Sequence, residues 1–297
     1  MVSGRHQRGV ALLTVLWVVG LLTVLVSGYS FLVRTENQLA RNQVRALQAQ
    51  LLAEAGVAEA LYQLTVVPEP RRWRVDGRPY PLPFGHGAVT VQMRDASGLV
   101  NLNLAPPALL AALLEQPDVA FEERERIVDL ILDWRDSDEL VRLKGGERRD
   151  YRAAGLDYGP KNGPFERIDE LEWIPGMSAA TLARLRPHLT LYSGQNGVDP
   201  AAASAALLRQ LSHGDTALVE EIMGARDQGV FSYTQLRERV DWPIAGSTGV
   251  VHIYARAESD GGAVAALEVV VKTTATGRGY DVLSWQPGSI QEAPTSE

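Results

Sequence analysis

The N-terminal segment constrains this chain more than any other part of it. The run from Val10 to Val33 carries no charge and is rich in Leu and Val. It is longer than the ~20 apolar residues that an α-helix needs to cross a bilayer, so the sequence predicts one transmembrane helix. The short leader before it is basic, with Arg5, His6 and Arg8. Because positive charge favours the cytoplasmic side, we expect the bulk of the chain to be exported.

An ordinary cleaved signal peptide is the alternative interpretation of this segment. Val26 and Gly28 provide a tolerable cleavage site, after which the mature chain would start near Tyr29. The apolar run is, however, longer than the ~7–15 residues typical of a signal peptide. The sequence favours a retained anchor and leaves the cleaved form open.

The same helix is predicted to continue beyond the membrane. Apolar residues keep helical spacing from Leu39 to Leu64, and the first proline is Pro68. One helix of roughly 55 residues, about 80 Å long, would run from the leader to Leu64. Its second half is amphipathic and is expected to pack against a soluble domain. The predicted packing face consists of Leu47, Leu51, Ala55, Ala58 and Leu61.

The composition indicates a folded chain with an ordinary surface. Its 297 residues are 45% apolar and 22% charged, which suffices for one large core or two smaller ones. The formal net charge is −7, so no surface-wide positive field would attract nucleic acid. The chain has no cysteine, which excludes disulfides, thiolate catalysis and cysteine metal sites.

Period-two patterns predict a small antiparallel sheet in the exported part. The first strand contains Val89, Val91 and Met93, and three more are predicted at 249–256, 266–272 and 280–285. The predicted inward residues of two of these are Val251, Ile253, Ala255, Leu267, Val269 and Val271. Residues 68–83 are interpreted as a proline-rich linker, and the end of the chain as a loose tail. The fold class is therefore α+β, a long N-terminal helix packed on a small sheet.

A helical region of about 140 residues interrupts this sheet and contains an internal repeat. In each copy, apolar helix positions precede an Arg-Asp pair, Arg135-Asp136 or Arg226-Asp227. A Gly-x-Phe step follows, ending at Phe165 or Phe231. We expect two related small modules of the SAM-like or helix-hairpin-helix-like type.

The first copy is longer than the second between its Arg-Asp pair and its phenylalanine. A loop of this length inside a small module is usually functional or disordered. Carboxylates without His or Cys favour a hard cation, and a flexible loop favours calcium over magnesium. The candidate ligands are Asp133, Asp136, Asp138, Glu147 and Asp150. The alternative is a solvated acidic patch neutralised by Arg142, Lys144, Arg148 and Arg149.

The N-terminal residues resemble a type IV prepilin leader. The segment from Arg8 to Trp17 has a basic residue, a glycine and then an uncharged helix. The resemblance implies that a prepilin peptidase cuts between Gly9 and Val10 and methylates the new amine. The fifth mature residue is Thr14, where most pilins and pseudopilins carry glutamate. A neutral residue suits a tip subunit, because no neighbouring subunit above it presents an N-terminal ammonium to neutralise. In lacking this glutamate, the chain resembles the K-type minor pseudopilins of type II secretion.

The acidic loop resembles the same K-type family. The run from Asp133 to Asp138, then Gly145-Gly146-Glu147 and Asp150-Tyr151, is similar to its Asp-Trp-x-Asp-x-Asp, Gly-Ala-Glu and Tyr pattern. Gly146 stands where alanine is commoner. The segment from Asp95 to Asn103 is also similar to the family's start of the helical domain. The resemblance implies a calcium cofactor with a structural role.

The resemblance also implies an organisation and a set of partners. The expected regions of the N-terminal part are the leader at 1–9 and the transmembrane and periplasmic halves of the helix at 10–33 and 34–67. Sheet segments are expected at 68–100 and 245–286, and the helical insertion between them at 101–244, with modules at about 101–190 and 198–242. A flexible tail is expected at 287–297.

A single-pass inner-membrane protein with a periplasmic C-terminal domain is expected. Its expected partners are the I, J and H types of minor pseudopilin, the major pseudopilin and the prepilin peptidase, but no nucleic acid. Its expected role is to cap the pseudopilus tip.

Two other functional classes remain open. Ile174-Pro175-Gly176-Met177 resembles the hairpin of helix-hairpin-helix modules, so a periplasmic membrane-anchored protein that binds nucleic acid or another ligand is the alternative function. Against it, Ser178 replaces the usual second glycine and the surroundings are acidic. Enzyme activity is not expected, because the five histidines are scattered and no hydrolase or phosphate-loop motif is present.

Overall fold

The structure is a computed structural model of the chain. It describes residues 7–116, 119–228, 230–274 and 277–288, with side chains from Leu12 onward. Most of the predicted leader, residues 1–6, and most of the predicted tail, residues 289–297, lie outside the described residues.

A single helix, α1, forms the N-terminal part of the described chain. It runs from Gln7 to Thr65, 59 residues, so the predicted continuous helix is confirmed. Among the described residues it is the one helix long and apolar enough to cross a membrane, over Leu12–Thr65. The most apolar part of α1 is exposed in the isolated chain, as expected of a segment whose partner is lipid.

The second half of α1 packs on the sheet through its small residues. Ala49, Ala53 and Ala60 are fully buried. A Cβ on Gly56 would lie 2.5 Å from Cγ1 of Val89, so only glycine permits this close approach. The predicted packing face was wrong for its large residues, since Leu47 and Leu51 are each 55% exposed. Ala58 is also exposed, Ala55 is half-buried, and Leu61 alone of the predicted face is buried. The reason is the short helix-to-sheet distance, which selects Ala and Gly.

Five antiparallel strands form the sheet, in the order β1-β2-β5-β6-β7. The strands are β1 Tyr80–Phe84, β2 Gly87–Asp95, β5 Val250–Ser259, β6 Val264–Thr273 and β7 Tyr280–Pro287. All four predicted strands are present, and the predicted inward residues Val251, Ile253, Ala255, Leu267, Val269 and Val271 are buried. All of strand β1 except Phe84 lies inside the segment interpreted as a linker. Pro81 and Pro83 confine it to the edge of the sheet, since proline donates no ladder hydrogen bond.

The helical insertion leaves and re-enters the sheet at one end of a strand pair. Asp95, the last residue of β2, lies opposite Val251 of β5. Because the two chain ends are adjacent, a large insertion extends the domain without disturbing the ladder. The insertion contains α2 Pro107–Leu113, α3 Phe121–Arg135, α4 Arg148–Ala153, α5 Ala179–Leu185, α6 Ala205–Leu211, α7 Thr216–Gln228, α8 Tyr233–Arg237 and a parallel pair of two-residue strands, β3 Val100–Asn101 and β4 Leu189–Thr190.

Two large apolar cores lie in the described part of the chain, beside a small third cluster of Ala96, Val250 and Val270. One lies between α1 and the sheet and contains Val57, Met93 and Ile253 among others. The other lies within the insertion and spans Val100 to Trp242. The insertion therefore buries its own apolar surface and does not depend on the α1 core for it.

The internal repeat is visible as the same hydrogen-bonding arrangement in both modules. The Arg135 guanidinium donates to the carbonyls of Leu102 at 2.6 Å and Ala105 at 2.7 Å, just before α2. In the second module the Arg226 guanidinium donates to the carbonyls of Pro200 and, at 2.8 Å, Ala203, just before α6. Burial lowers the pKa of both arginines. Each arginine thus joins the second helix of its module to the chain that precedes the first.

Candidate metal centre between helices α3 and α4

The predicted carboxylates lie around the segment that joins α3 to α4. Asp133 is in the last turn of α3 and Asp136 ends that helix. Glu147 precedes α4 as its N-cap residue and Asp150 lies in its first turn. Asp133 is fully buried and Glu147 is 6% exposed, whereas Asp138 is exposed. The two most buried carboxylates therefore come from different ends of the loop.

Asp133 anchors the loop through one of its oxygens. Its Oδ2 accepts hydrogen bonds from the backbone N–H groups of Arg142 at 3.2 Å and Gly146 at 2.9 Å. A Cβ on Gly145 would lie 2.0 Å from this oxygen, so the loop passes Asp133 only because residue 145 is glycine. At Gly146 the nearest atom to a Cβ would be 3.3 Å away, which agrees with the alanine of the resembled pattern.

Three other carboxylate oxygens of this group have no hydrogen-bond partner in the described part of the chain. Asp133 Oδ1, Asp136 Oδ1 and Glu147 Oε1 are buried and have no hydrogen-bond partner among the described residues. The Asn162 Oδ1 and Tyr151 hydroxyl oxygens are also buried and have no hydrogen-bond partner among the described residues. Buried polar oxygens normally have partners, so these oxygens point to a ligand that supplies positive charge.

The electrostatics of the three carboxylates agree with this geometry. Burial raises the pKa of Asp133, and the charge of Asp136 raises it further. Burial also raises the pKa of Glu147, with added contributions from the charges of Asp133 and Asp136. Burial and the charge of Asp138 raise the pKa of Asp136. These carboxylates repel one another, and a cation among them would relieve that repulsion.

Asp138 and Asp150 have local backbone partners instead. Asp138 Oδ1 accepts the N–H of Leu140 at 2.8 Å. Asp150 Oδ2 accepts the N–H of Glu147 at 2.9 Å, which caps the start of α4. Within the described residues, no three acidic or histidine side chains converge at metal-binding distance. The structure thus divides the predicted ligands into three with a free buried oxygen and two that hold the loop.

Of the four cations proposed to neutralise the patch, Arg142 contacts the buried carboxylates. Its Nε lies 3.3 Å from Asp133 Oδ1, and one of its terminal nitrogens lies 3.6 Å from Asp136 Oδ2. Lys144 pairs at 2.6 Å with Glu125 outside the group. Arg148 and Arg149 are exposed. Neutralisation by protein cations is therefore partial.

These residues fit a hard divalent cation. The unpartnered atoms of this group in the described part of the chain are all oxygens, which suits calcium. Asp133, Asp136 and Glu147 would supply charge, and the Asn162 carbonyl oxygen, which sequence reasoning missed, is a neutral candidate. Asn162 has a positive φ of 51°. Its side-chain nitrogen donates to the backbone carbonyl of Asp138 at 3.2 Å, which places the amide beside the loop.

The hairpin that resembles a helix-hairpin-helix element packs against α3. Gly176 has φ +93°, and a Cβ there would lie 2.1 Å from Glu123 Oε1 and 3.6 Å from Ile127. A carboxylate therefore occupies the space beside the hairpin glycine, where the alternative function needs a phosphate. The geometry gives the hairpin a packing role and does not favour anion binding.

A Thr-His-Glu arrangement joins the insertion to the sheet. Thr190 Oγ1 lies 2.9 Å from His252 Nε2, and His252 Nδ1 lies 3.5 Å from Glu268 Oε1. The hydrogen bond with His252 lowers the pKa of Glu268. Thr190 is fully buried and its hydroxyl also accepts the N–H of Tyr192. Since no substrate could reach this hydroxyl, we interpret the arrangement as a tether between the two cores.

The predicted processing residues lie at the start of α1. Gly9 and Val10 are in its first turn, and the side chain of Val10 lies outside the described part. Thr14 is on the exposed surface of the transmembrane half. The predicted cleavage position and Thr14, the residue predicted to be fifth in the mature chain, thus lie on one continuous helix.

Comparisons with known proteins agree on one family. Residues 93–194 match the family model described as type II secretion system (T2SS), protein K. The chain is 28% identical over 243 residues to the type II secretion system protein K of Klebsiella pneumoniae, covering 73% of each chain. It is 28% identical over 254 residues to the protein K of Pseudomonas aeruginosa, covering 76% of this chain and 74% of that one.

A solved structure shares the fold. One chain of the GspK-GspI-GspJ complex from the enterotoxigenic Escherichia coli type 2 secretion system matches with a TM-score of 0.64 and 18% identity, covering 84% of this chain and 99% of that chain. The predicted α+β fold, a long helix packed on an antiparallel sheet with a helical insertion, is therefore confirmed. Residues 93–194 match the model of the type II secretion system protein K family, and the resemblance to this family seen in the sequence is confirmed.

Proposed function

We propose that this chain caps the tip of the periplasmic pseudopilus and assists the export of folded proteins across the outer membrane. The observation that carries this proposal is the helical insertion, which has its own core and projects from one end of the β2–β5 pair. A body of this size beside the helical spine is hard to accommodate in a repeating stack of subunits, whereas a tip position has no subunit above it. The neutral Thr14 supports the same position.

The exposed face of α1 supports assembly with other pseudopilins. Small residues of α1 face its own sheet, and the large residues Leu39, Val44, Leu47 and Leu51 are each at least 55% exposed. Exposed apolar side chains on a periplasmic helix need a partner surface. The proposed partners are the helices of the I, J and H types and of the major pseudopilin.

The proposed topology follows from the N-terminal segment. A prepilin peptidase would cut between Gly9 and Val10 and methylate Val10, leaving α1 in the inner membrane and the C-terminal domain in the periplasm. The role is structural, and no catalytic residue is proposed.

Calcium is proposed as a structural cofactor at the α3–α4 loop. The buried oxygens of Asp133, Asp136 and Glu147 without hydrogen-bond partners support it. When bound, calcium would supply the positive charge that offsets the repulsion among these carboxylates. The chain's own contribution is to hold the loop by backbone hydrogen bonds to Asp133.

Labelled filaments test the tip position. The full-length chain with a small tag on the insertion would be co-produced with the other pseudopilins, and the filaments would be examined by electron microscopy with gold label. We expect label at one end of a filament. Label along the filament length would contradict the tip assignment.

N-terminal sequencing of the same preparation tests processing. A start at methylated Val10 is expected. A start near Tyr29 would identify an ordinary signal peptide and would remove the membrane anchor from the proposal.

A further inference from the structure

Arg142 contacts the carboxylate group through both its backbone and its side chain. Its backbone N–H donates to Asp133 Oδ2 at 3.2 Å, while its side-chain Nε lies 3.3 Å from Asp133 Oδ1. The guanidinium also approaches Asp136 Oδ2 at 3.6 Å and is 43% exposed. The backbone of residue 142 is therefore fixed to the group, whereas its side chain has a route to solvent.

The Arg142 side chain does not form a hydrogen bond with the buried Asp133 oxygen that it approaches. Asp133 Oδ1 has no hydrogen-bond partner among the described residues although the guanidinium is at ion-pair distance, and Asp136 Oδ1 and Glu147 Oε1 also lack one. The Arg142 guanidinium thus approaches two of the three carboxylates. The contact is electrostatic and half-exposed, the kind of ion pair that is easily exchanged.

A divalent cation and this guanidinium need the same oxygen. A cation bound to Asp133 Oδ1 would lie close to the Arg142 Nε, and the two positive charges would repel each other. The guanidinium can leave without breaking the loop, because the backbone hydrogen bonds from Arg142 and Gly146 go to the other oxygen, Oδ2.

We propose that Arg142 determines the cation affinity of this site. Without a cation its side chain acts as an internal counter-charge over the carboxylates, and calcium binding displaces it into solvent. This inference rests on the proposed calcium site. It predicts that Arg142 stabilises the cation-free protein and weakens calcium binding to the same extent.

Calorimetric titration of the full-length protein in detergent with calcium chloride tests the proposal. Arg142→Gln keeps the backbone N–H and removes the charge, and its Kd for calcium is expected to be about fivefold lower than that of the wild type, which corresponds to ~1 kcal/mol for a half-exposed ion pair. Lys144→Gln is the matched control, since Lys144 lies in the same loop and pairs with Glu125. Its Kd should equal that of the wild type.

Thermal unfolding supplies a second measurement that does not depend on the titration. With chelator, Arg142→Gln should melt below the wild type, and in saturating calcium the two should melt together. Arg142→Lys retains the charge and should stay near the wild type in both conditions, which guards against a variant that merely fails to fold.

The outcomes separate the two proposals. The proposed role of Arg142 is supported if Arg142→Gln binds calcium more tightly than the wild type and Lys144→Gln does not. It is also supported if Arg142→Gln binds calcium and the wild type shows no binding. Wild-type binding with an unchanged or weaker Kd in Arg142→Gln overturns the role of Arg142 and leaves the calcium site in place. Absence of binding at millimolar calcium in both proteins overturns the site and the inference together.

Discussion

The two modules of the insertion share a scaffold but differ in what they carry. Arg135 and Arg226 make equivalent hydrogen bonds to the chain before α2 and α6. Asn101 and Asp199 likewise accept a backbone N–H two residues on, from Asn103 and Ala201. The first module adds the loop with the buried carboxylates, whereas the second passes almost directly from α7 to Phe231. The two modules therefore share their hydrogen-bonding scaffold, and the buried carboxylates lie in the loop that the second module lacks.

The largest expected effect tests whether the two arginines are equivalent. Arg135→Leu and Arg226→Leu should each lower the free energy of unfolding by about 3 kcal/mol, because two buried carbonyls lose a charged donor. Hydrogen exchange measured by mass spectrometry should show faster exchange around α2 in the first variant and around α6 in the second.

The control for this pair is Arg149→Gln, at an exposed arginine of the loop, which should change neither stability nor exchange. A large loss of stability in only one of the two leucine variants would break the equivalence of the modules.

The next effect concerns calcium, which should act on the first module alone. A ligand at 100 times its Kd that binds only the folded state adds about 2.7 kcal/mol. We therefore expect calcium to raise the melting temperature and to slow exchange between α3 and α4, with no change around α7. Glu147→Ala should abolish both effects, since it removes a buried ligand oxygen.

Glu139→Ala is the matched control, because Glu139 is exposed in the same loop. It should respond to calcium as the wild type does. An unchanged melting curve on adding chelator to the calcium-loaded wild type would make the carboxylates a solvated surface and would remove the functional difference between the modules.

The smallest effect is a pH dependence in the cation-free protein. The pKa of Glu147 is raised in the folded state, so its contribution to stability is fully present below its unfolded pKa and is lost as the pH rises through its folded pKa. Glu147→Gln does not titrate. In chelator, its melting temperature relative to the wild type should therefore be more favourable at pH 7 than at pH 4. A difference that is constant between these two pH values would contradict the raised pKa.

The sequence by itself determined the main elements of the chain. An uncharged apolar run followed by helical spacing defines α1, since the bilayer and the helix repeat act on local sequence. Period-two patterns located β2, β5, β6 and β7 for the same reason. The internal repeat and the family pattern around Asp133 could also be recognised in the sequence, because they depend on residue order alone.

Tertiary structure decided which residues face each other. The choice of the Ala and Gly face of α1 over its Leu face depends on how closely the helix approaches Val89, and helical spacing carries no such distance. The edge strand β1 was missed because its prolines read as a linker, whereas pairing with β2 makes it a strand.

The candidate site shows the same limit. Spacing proposed five carboxylates, but only the folded loop distinguishes Asp133, Asp136 and Glu147 from Asp138 and Asp150, whose oxygens bond to nearby backbone N–H groups. The contact of Arg142 with two of the buried carboxylates is likewise set by the path of the loop. Burial and electrostatic contact depend on three-dimensional proximity, and a linear pattern can nominate charged residues without determining which of them lose their water.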